Sequence, residues 1–222
     1  MPENTLPIIL LPGMAADGRL FRLQRAALPY LVTPAWIEPR YREPLAAYAE
    51  RFARRVDPGG PCFVGGASFG GIVALEMAAH LRAEACFLIA SVRSAREFPW
   101  RYRVLRPLAR LGPQHLGRVA AWVARWLAAT LPRSTTRRLR RLSEPRSAFL
   151  RWASWAALDW RPSPGAREVR VYQIHGAADR TLPIKYTRPD VLVPGAGHLL
   201  ALTHSDAVND FIRSRVQQQC HV

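Results

Sequence analysis

Apolar residues recur along this chain with two different periods, one typical of strands and the other typical of helices. Short apolar runs, which indicate strands, lie at Pro7 to Leu11, Pro34 to Ile37, Cys62 to Gly65, Ala85 to Ala90, Val169 to His175 and Val191 to Val193. Helical spacing is found at Arg19 to Leu28, Pro44 to Val56, Phe69 to Leu81 and Ser205 to Gln217. Because strands and helices alternate, the pattern predicts an α/β protein with a mostly parallel sheet of about six strands and helices on both faces.

The strand pattern stops between Ser94 and Gly165. Helical spacing continues there in three stretches, Trp100 to Leu111, Leu116 to Leu131 and Thr135 to Trp160, which are separated by prolines that end helices. We therefore expect an all-helical cap at residues 94–165. This cap would be inserted after the fourth strand of a core formed by residues 1–93 and 166–222.

The positive charge of the chain is concentrated in this predicted cap. The net charge is +16, and Lys185 is the only lysine, so arginine supplies almost all of the positive charge. The segment from Arg93 to Arg151 has fifteen arginines and two acidic residues, Glu97 and Glu144, which leaves only +3 for the rest of the chain. A basic patch fits an anionic membrane surface, an anionic amphiphile or nucleic acid. No recognition-helix, RNA-binding or zinc pattern accompanies it, so nucleic acid is the least favoured partner.

Length and composition fit one sizeable domain with a full hydrophobic core, or one domain with an inserted lid. The chain has 222 residues, of which 49% are hydrophobic, and no apolar stretch reaches the roughly 18 residues that a membrane span needs. The N-terminus shows no basic region followed by a long apolar region, so no export signal is expected. Three cysteines are an odd number, and Cys62 and Cys86 lie in predicted strands, where free buried thiols are common. These features favour the cytoplasm.

The strongest motif is Gly-Ala-Ser-Phe-Gly at residues 66–70. It lies where a predicted strand ends and a predicted helix begins, which is the setting of a nucleophile elbow. Small residues at both ends of the motif allow a sharp turn that presents the Ser68 hydroxyl in front of a helix N-terminus. The alternative is a glycine-rich structural turn, but a strand before, a helix after and a further glycine at position 71 favour the nucleophile.

With these elements, the chain resembles the α/β-hydrolase family over its whole length, and residues 94–165 correspond to the variable cap of that family. The resemblance implies a catalytic triad in the chain order Ser, acid, His. This sequence supplies Ser68, then Asp179 in a His-Gly-Ala-Ala-Asp loop, then His198 in a Gly-Ala-Gly-His loop. Each motif follows a predicted strand, so the three meet at the carboxyl edge of the sheet. The chain departs from the family pattern in lacking the two antiparallel strands that often come first, which leaves one sheet edge bare.

The triad implies one role for each residue. His198 is the base that takes the proton of Ser68, and Asp179 orients the imidazole and stabilises its charged form. Some relatives place the acid after the preceding strand, but this chain has Ser-Val-Arg there, at residues 91–93, and no carboxylate. His175 is interpreted as structural.

An oxyanion hole needs two backbone N–H donors. The residue after the nucleophile, Phe69, supplies one from the helix N-terminus, and the resemblance implies that Met14, in the turn after the first strand, supplies the other. A plain turn between a strand and a helix is the alternative for the Met14 segment. Asp17, in the same loop, is expected to cap the next helix.

The resulting hypothesis is a serine hydrolase that cleaves carboxylic esters or thioesters through an acyl-enzyme, without metal or organic cofactor. Acyl transfer and other triad chemistry stay open, because one fold supports many reactions. The competing hypothesis is a non-catalytic scaffold whose basic cap binds an anionic membrane or nucleic acid. The cap also contains six tryptophans and an apolar stripe in Leu116 to Leu131, which is expected to pack on the core. The alternative is that arginines near the pocket mouth attract an anionic amphiphile, such as an acyl-CoA, a phospholipid or an acyl chain at an anionic membrane surface.

Overall fold

The computed structural model describes residues 6–107 and 147–219. Its strands are β1 Ile8–Leu11, β2 Leu31–Val32, β3 Cys62–Ala67, β4 Ala83–Ile89, β5 Val171–Gly176 and β6 Val191–Val193. They form one sheet in the order β2-β1-β3-β4-β5-β6, and every neighbouring pair is parallel. The prediction of a parallel α/β sheet of about six strands is confirmed.

The α-helices of the described residues connect these strands or follow them. They are α1 Arg22–Ala27, α2 Leu45–Val56, α3 Phe69–Ala78, α4 Trp100–Leu105, α5 Ser147–Asp159, α6 Pro164–Glu168, α7 Leu200–Thr203 and α8 Ser205–Gln219. Short 3₁₀ turns lie at Gly18–Phe21, Ala95–Glu97 and Ile184–Tyr186. None of the helices in this part of the chain has the length and apolar character that crossing a bilayer requires.

Successive side chains of each strand point to opposite faces of the sheet, so the core consists of two clusters, one on each face. In β1, Ile9 and Leu11 face a cluster that contains side chains of α2, α3 and α5. Ile8 and Leu10 face the opposite cluster, which contains side chains of α7, α8 and the 3₁₀ turn before α1. The predicted placement of helices on both faces is therefore confirmed.

Helix α3 is buried on all sides, which is the expected position for a helix that is apolar all round. Its one acidic residue, Glu76, is fully buried. The Oε1 atom of Glu76 accepts hydrogen bonds from the indole N–H of Trp160, at 2.7 Å, and from the backbone N–H of Ser163, at 3.1 Å. The carboxylate thus joins α3 to the chain beyond α5.

The predicted cap begins and ends with helices in the structure. Helix α4 lies at the start of the predicted Trp100 to Leu111 helix, and α5 lies within the predicted Thr135 to Trp160 helix. The predicted helix Leu116 to Leu131 falls outside the described residues. Helix α5 belongs to the first core cluster, and the indole N–H of Trp152 donates a 2.8 Å hydrogen bond to the carbonyl of Glu43. The division into a core and a cap at residues 94–165 stays a prediction.

The predicted second strand, Pro34 to Ile37, is wrong. The second strand is β2, and Leu31 pairs with Ile8 of β1. Pro34 has no N–H to donate to a sheet, whereas the apolar side chains of Trp36 and Ile37 pack against the first core cluster from irregular chain. The apolar run at Pro34 to Ile37 therefore reflects packing against the core and not a strand.

The predicted helix Arg19 to Leu28 is in fact two elements, the 3₁₀ turn Gly18–Phe21 and α1. The carboxylate of Asp17 accepts a 2.9 Å hydrogen bond from the N–H of Arg19 at the start of this turn, so the predicted capping role is confirmed. Helices α6 and α7 were not predicted, because elements of four or five residues are too short to show a period.

The two cysteines in strands are free and buried, as expected. Burial raises the pKa of the Cys62 thiol to about 11. A thiol with such a raised pKa is a poor nucleophile near neutral pH, so Cys62 acts as a small apolar core residue.

Candidate active site

The three residues proposed as a triad meet at the carboxyl edge of the sheet. Ser68 follows β3, Asp179 lies beyond β5, and His198 lies beyond β6. The Nε2 atom of His198 is 2.9 Å from Ser68 Oγ, and its Nδ1 atom is 2.8 Å from Asp179 Oδ2. A carboxylate only accepts hydrogen bonds, so a neutral His198 carries its proton on Nδ1. Its Nε2 atom is then left to accept the hydroxyl proton of Ser68.

Ser68 occupies a strained backbone conformation, with φ of 54° and ψ of −119°. A residue other than glycine in such a region costs about 1–3 kcal/mol and persists only when its surroundings hold it. The N–H of Ser68 donates to Ile89 O at 3.0 Å, and the Ser68 carbonyl accepts from Gly71 N at 3.0 Å and from Ser91 Oγ at 2.7 Å. These bonds fix the sharp turn between β3 and α3 that the sequence motif predicts.

The glycines of the motif are required by backbone contacts. A Cβ atom at Gly70 would lie 2.2 Å from the carbonyl oxygens of both Leu11 and Pro12. A Cβ atom at Gly66 would lie 2.4 Å from the carbonyl carbon of Gly70. The chain after β1 and the elbow after β3 therefore pack backbone against backbone, which only glycine permits.

Replacing Gly70 by alanine should lower the free energy of unfolding by about 3 kcal/mol, because two main-chain oxygens would have to move. Urea unfolding followed by circular dichroism measures the change. The matched control is Gly60→Ala, since a Cβ atom at Gly60 meets nothing within 4 Å. This control should stay within about 0.5 kcal/mol of the parent protein. Equal stability of the two variants would contradict the close packing described above.

Several hydrogen-bond donors stabilise the buried carboxylate of Asp179. Its Oδ1 atom accepts hydrogen bonds from the N–H groups of Thr181, at 2.8 Å, and Leu182, at 2.9 Å. Burial alone would raise the pKa of this carboxyl, but the contacts with His198 and His175 and the Leu182 N–H outweigh burial and hold the pKa well below its usual range. Asp179 is therefore ionised at neutral pH and can stabilise a positive charge on His198.

His175 is a second histidine beside the same carboxylate. It is fully buried, its Nε2 atom donates a 2.7 Å hydrogen bond to the carbonyl of Leu182, and this nitrogen lies 3.2 Å from Asp179 Oδ2. The structural interpretation of His175 is supported, because it braces the loop that carries the acid. Its contact with the acid itself was not predicted.

Within residues 6–107 and 147–219, no group of three His, Cys, Asp or Glu side chains could hold a metal ion.

The two predicted oxyanion donors, Met14 and Phe69, lie close to Ser68. Phe69 is the first residue of α3, so its N–H points out of the helix N-terminus. Met14 lines the same cavity as Ser68, and a Cβ atom on the preceding Gly13 would be 3.9 Å from Ser68 Cβ. Both main-chain segments are thus close to the Ser68 hydroxyl, and their role as donors stays a prediction.

A cavity of about 160 Å³ opens beside Ser68 and His198. Its walls are mostly apolar and come from the core and from α5, with Leu20, Phe69, Ile72, Phe98, Leu158 and Leu182 among the large side chains. Tyr102 and Arg106 line it from α4 and the residue after it. No substrate-binding residue was predicted from the sequence, since the packing of α4 and α5 against the elbow is not visible in local patterns.

Comparisons with known proteins agree with the fold described above. A family model described as the alpha/beta hydrolase family matches residues 8–211. An esterase from Thermogutta terrifontis is 18% identical, with a TM-score of 0.73, over 96% of this chain and 90% of that chain. The MenH structure from S. aureus is 16% identical, with a TM-score of 0.71, over 98% and 95%. A putative ancestral haloalkane dehalogenase is 13% identical, with a TM-score of 0.65, over 99% and 94%. A search of curated proteins found no match.

Proposed function

This chain belongs to the alpha/beta hydrolase family, and from that premise we propose that it is a serine hydrolase that cleaves a carboxylic ester or thioester. The observation that carries the proposal is the pair of hydrogen bonds of His198, to Ser68 Oγ at 2.9 Å and to Asp179 Oδ2 at 2.8 Å. Solved structures of similar fold include esterases, an epoxide hydrolase and a dehalogenase, so the fold supports a hydrolase acting on a small molecule. The choice of an acyl substrate rests on the serine hydroxyl and its adjacent base.

In the first half of the reaction, Ser68 Oγ attacks the carbonyl carbon of the substrate while His198 Nε2 takes the hydroxyl proton. The negative charge of Asp179 stabilises the imidazolium that forms. The N–H groups of Phe69 and Met14 stabilise the developing oxyanion. His198 then returns the proton to the leaving alcohol or thiol, and the acyl group remains on Ser68.

In the second half, a water molecule takes the place of the leaving group. His198 removes a proton from this water as its oxygen attacks the acyl carbon, and the carboxylic acid leaves when Ser68 regains its proton. A second alcohol or amine in place of water would give acyl transfer from the same intermediate.

The cavity limits the size of the acyl group. An apolar cavity of about 150 Å³ accommodates a molecule of the size of benzene, which has six carbon atoms. The cavity beside Ser68 has a similar volume, about 160 Å³, and mostly apolar walls. We therefore assign it to a short apolar acyl group of about six carbons.

Among p-nitrophenyl esters, kcat/KM should rise with acyl length to about six carbons and then stop rising. Each buried CH₂ contributes about 0.8 kcal/mol, or roughly a fourfold gain in kcat/KM, whereas carbons beyond the cavity gain nothing. Hydrolysis of the series from two to about twelve carbons measures this profile. In the variant Ala157→Leu, which fills part of the cavity, the maximum should move to shorter esters.

A maximum near twelve carbons would contradict the assignment of the cavity to a short acyl group. If none of the esters in the series is hydrolysed, the proposed reaction itself is contradicted. The competing hypothesis, a non-catalytic scaffold whose basic cap binds an anionic membrane or nucleic acid, would then be favoured.

The cytoplasmic location stays a prediction.

A further inference from the structure

A second, larger cavity adjoins the catalytic one. Its volume is about 810 Å³, and five of its lining residues are arginines: Arg93, Arg96, Arg106, Arg161 and Arg167. We call this cavity the arginine cleft. Arg106 lines both cavities, so the arginine cleft begins where the apolar pocket beside Ser68 ends.

Most of the positive charge in the arginine cleft has no carboxylate partner. Arg93 is neutralised, because its Nη2 atom donates to Asp190 Oδ2 at 2.7 Å. The other four form no ion pair with the residues that the structure describes. Arg106 donates to the carbonyl of Trp160 at 3.1 Å, and Arg167 donates to the carbonyl of Pro162 at 3.2 Å. A carbonyl satisfies a donor but leaves the charge of the guanidinium in place.

Two of these arginines are close enough to repel each other. Burial and the positive charge of Arg161 lower the pKa of Arg106, and the nearby carboxylate of Asp159 offsets part of this effect. Arg106 is half-buried and Arg161 is exposed, so their repulsion is modest, and an anion bound between them removes it. Guanidinium groups bind phosphate through two parallel hydrogen bonds, and they are more weakly hydrated than ammonium groups. The composition of the arginine cleft therefore fits a phosphate or diphosphate.

We propose that the arginine cleft binds a phosphate or diphosphate group on the leaving part of the substrate, while the acyl group occupies the apolar cavity. Arg106 lies between the two parts. This inference rests on the proposed acyl hydrolysis, in which water and the acyl compound give a carboxylic acid and a phosphate-bearing alcohol or thiol. The phosphate bonds are not broken. The substrate class is therefore an anionic amphiphile with a short acyl chain.

The first test measures binding without catalysis. Inorganic pyrophosphate is titrated calorimetrically into the intact protein, into the double variant Arg96→Gln/Arg161→Gln and into the control Arg22→Gln/Arg25→Gln. Arg22 and Arg25 are exposed on α1, so the control loses the same net charge outside the arginine cleft. Saturable binding should weaken at least about tenfold in the cleft variant and stay unchanged in the control. Equal affinity in all three proteins, or no saturable binding, overturns the proposal.

The second test measures whether the phosphate belongs to the substrate. The readout is the ratio of kcat/KM for hexanoyl-coenzyme A to kcat/KM for p-nitrophenyl hexanoate. This ratio should fall at least about tenfold in the cleft variant, and it should also fall when salt is raised from about 50 to about 500 mM. It should not change in the control. Dihexanoyl phosphatidate, assayed in parallel, shows whether a lipid phosphate is accepted as well.

The two tests separate the two hypotheses. Pyrophosphate binding that depends on the arginine cleft, with an unchanged substrate ratio, would assign the cleft to a free phosphate compound and overturn the link to the substrate. If neither hexanoyl-coenzyme A nor p-nitrophenyl hexanoate is hydrolysed, the proposed reaction and the link to the substrate both fail. Pyrophosphate binding that is lost in the cleft variant would then still show that the arginine cleft binds an anion.

Discussion

Replacing Ser68 by alanine should lower kcat/KM for ester hydrolysis by about 10⁴-fold or more and abolish labelling by a fluorophosphonate probe. The hydroxyl that lies 2.9 Å from His198 is the proposed nucleophile, and alanine leaves His198 without a proton to remove. Backbone donors and substrate binding remain, so a small residual rate is expected rather than none. Hydrolysis of p-nitrophenyl hexanoate and mass spectrometry of the labelled peptide measure both effects.

Ser91→Ala is the matched control for this variant. Ser91 is a buried serine whose hydroxyl donates to the Ser68 carbonyl at 2.7 Å, so it supports the elbow without reaching the substrate. The Ser91 variant should keep its label at Ser68. Labelling that survives in Ser68→Ala, with the same melting temperature as the parent protein, would contradict the proposed nucleophile.

The variant Asp179→Asn should lose about 10⁴-fold in kcat while KM for the same ester changes little. The carboxylate accepts the Nδ1 proton of His198 at 2.8 Å, and an amide can instead donate a proton there and favour the wrong tautomer. The amide oxygen can still accept from Thr181 and Leu182, so the loop should fold. Steady-state kinetics at pH 8 separates kcat from KM.

Asp190→Asn is the control for Asp179→Asn. Asp190 also accepts a backbone N–H bond, from Gln173 at 2.7 Å, but it lies outside the lining of the catalytic cavity. Its variant should keep kcat for the neutral ester within about threefold of the parent value. A loss of similar size in both variants would indicate a general effect of removing a carboxylate.

The lowered pKa of Asp179 also fixes the sign of a pH effect. A carboxyl whose pKa is lower in the folded state than in the unfolded chain stabilises the fold above the unfolded pKa of about 3.9, and this contribution is lost as the pH falls towards the folded value. The stability that Asp179→Asn loses should therefore shrink as the pH falls below about 4, and urea unfolding of both proteins at several pH values measures this change.

The site shows how far local patterns reach. Ser68, Asp179 and His198 each follow a predicted strand, and parallel strands bring their carboxyl ends together, so their meeting could be predicted without coordinates. The contact of His175 with Asp179 and the position of Arg106 between two cavities could not be predicted in this way. The position of Arg106 depends on how distant segments pack. His175 is only four residues from Asp179, but the loop motif does not show that its side chain turns towards the carboxylate.

The fold shows the same limit at two places. Trp36 and Ile37 are apolar because they pack against a core cluster, so the sequence indicated a strand where there is none. Helix α5 was predicted correctly as a helix, but its side chains Phe149, Trp152 and Trp155 are part of the core rather than of a detached layer. Periodicity shows that one side of an element is buried, and it does not show what covers that side.

The two edge strands of the sheet are short, which limits the association of molecules through their sheet edges at high protein concentration. β2 has two residues and β6 has three, with Val32 52% exposed and Leu192 48% exposed. Unpaired N–H and C=O groups along an edge strand are the template on which a second molecule adds its own strand. Edges this short offer few such groups, so the sheet resists growth into aggregates from either side even though both edges expose an apolar side chain.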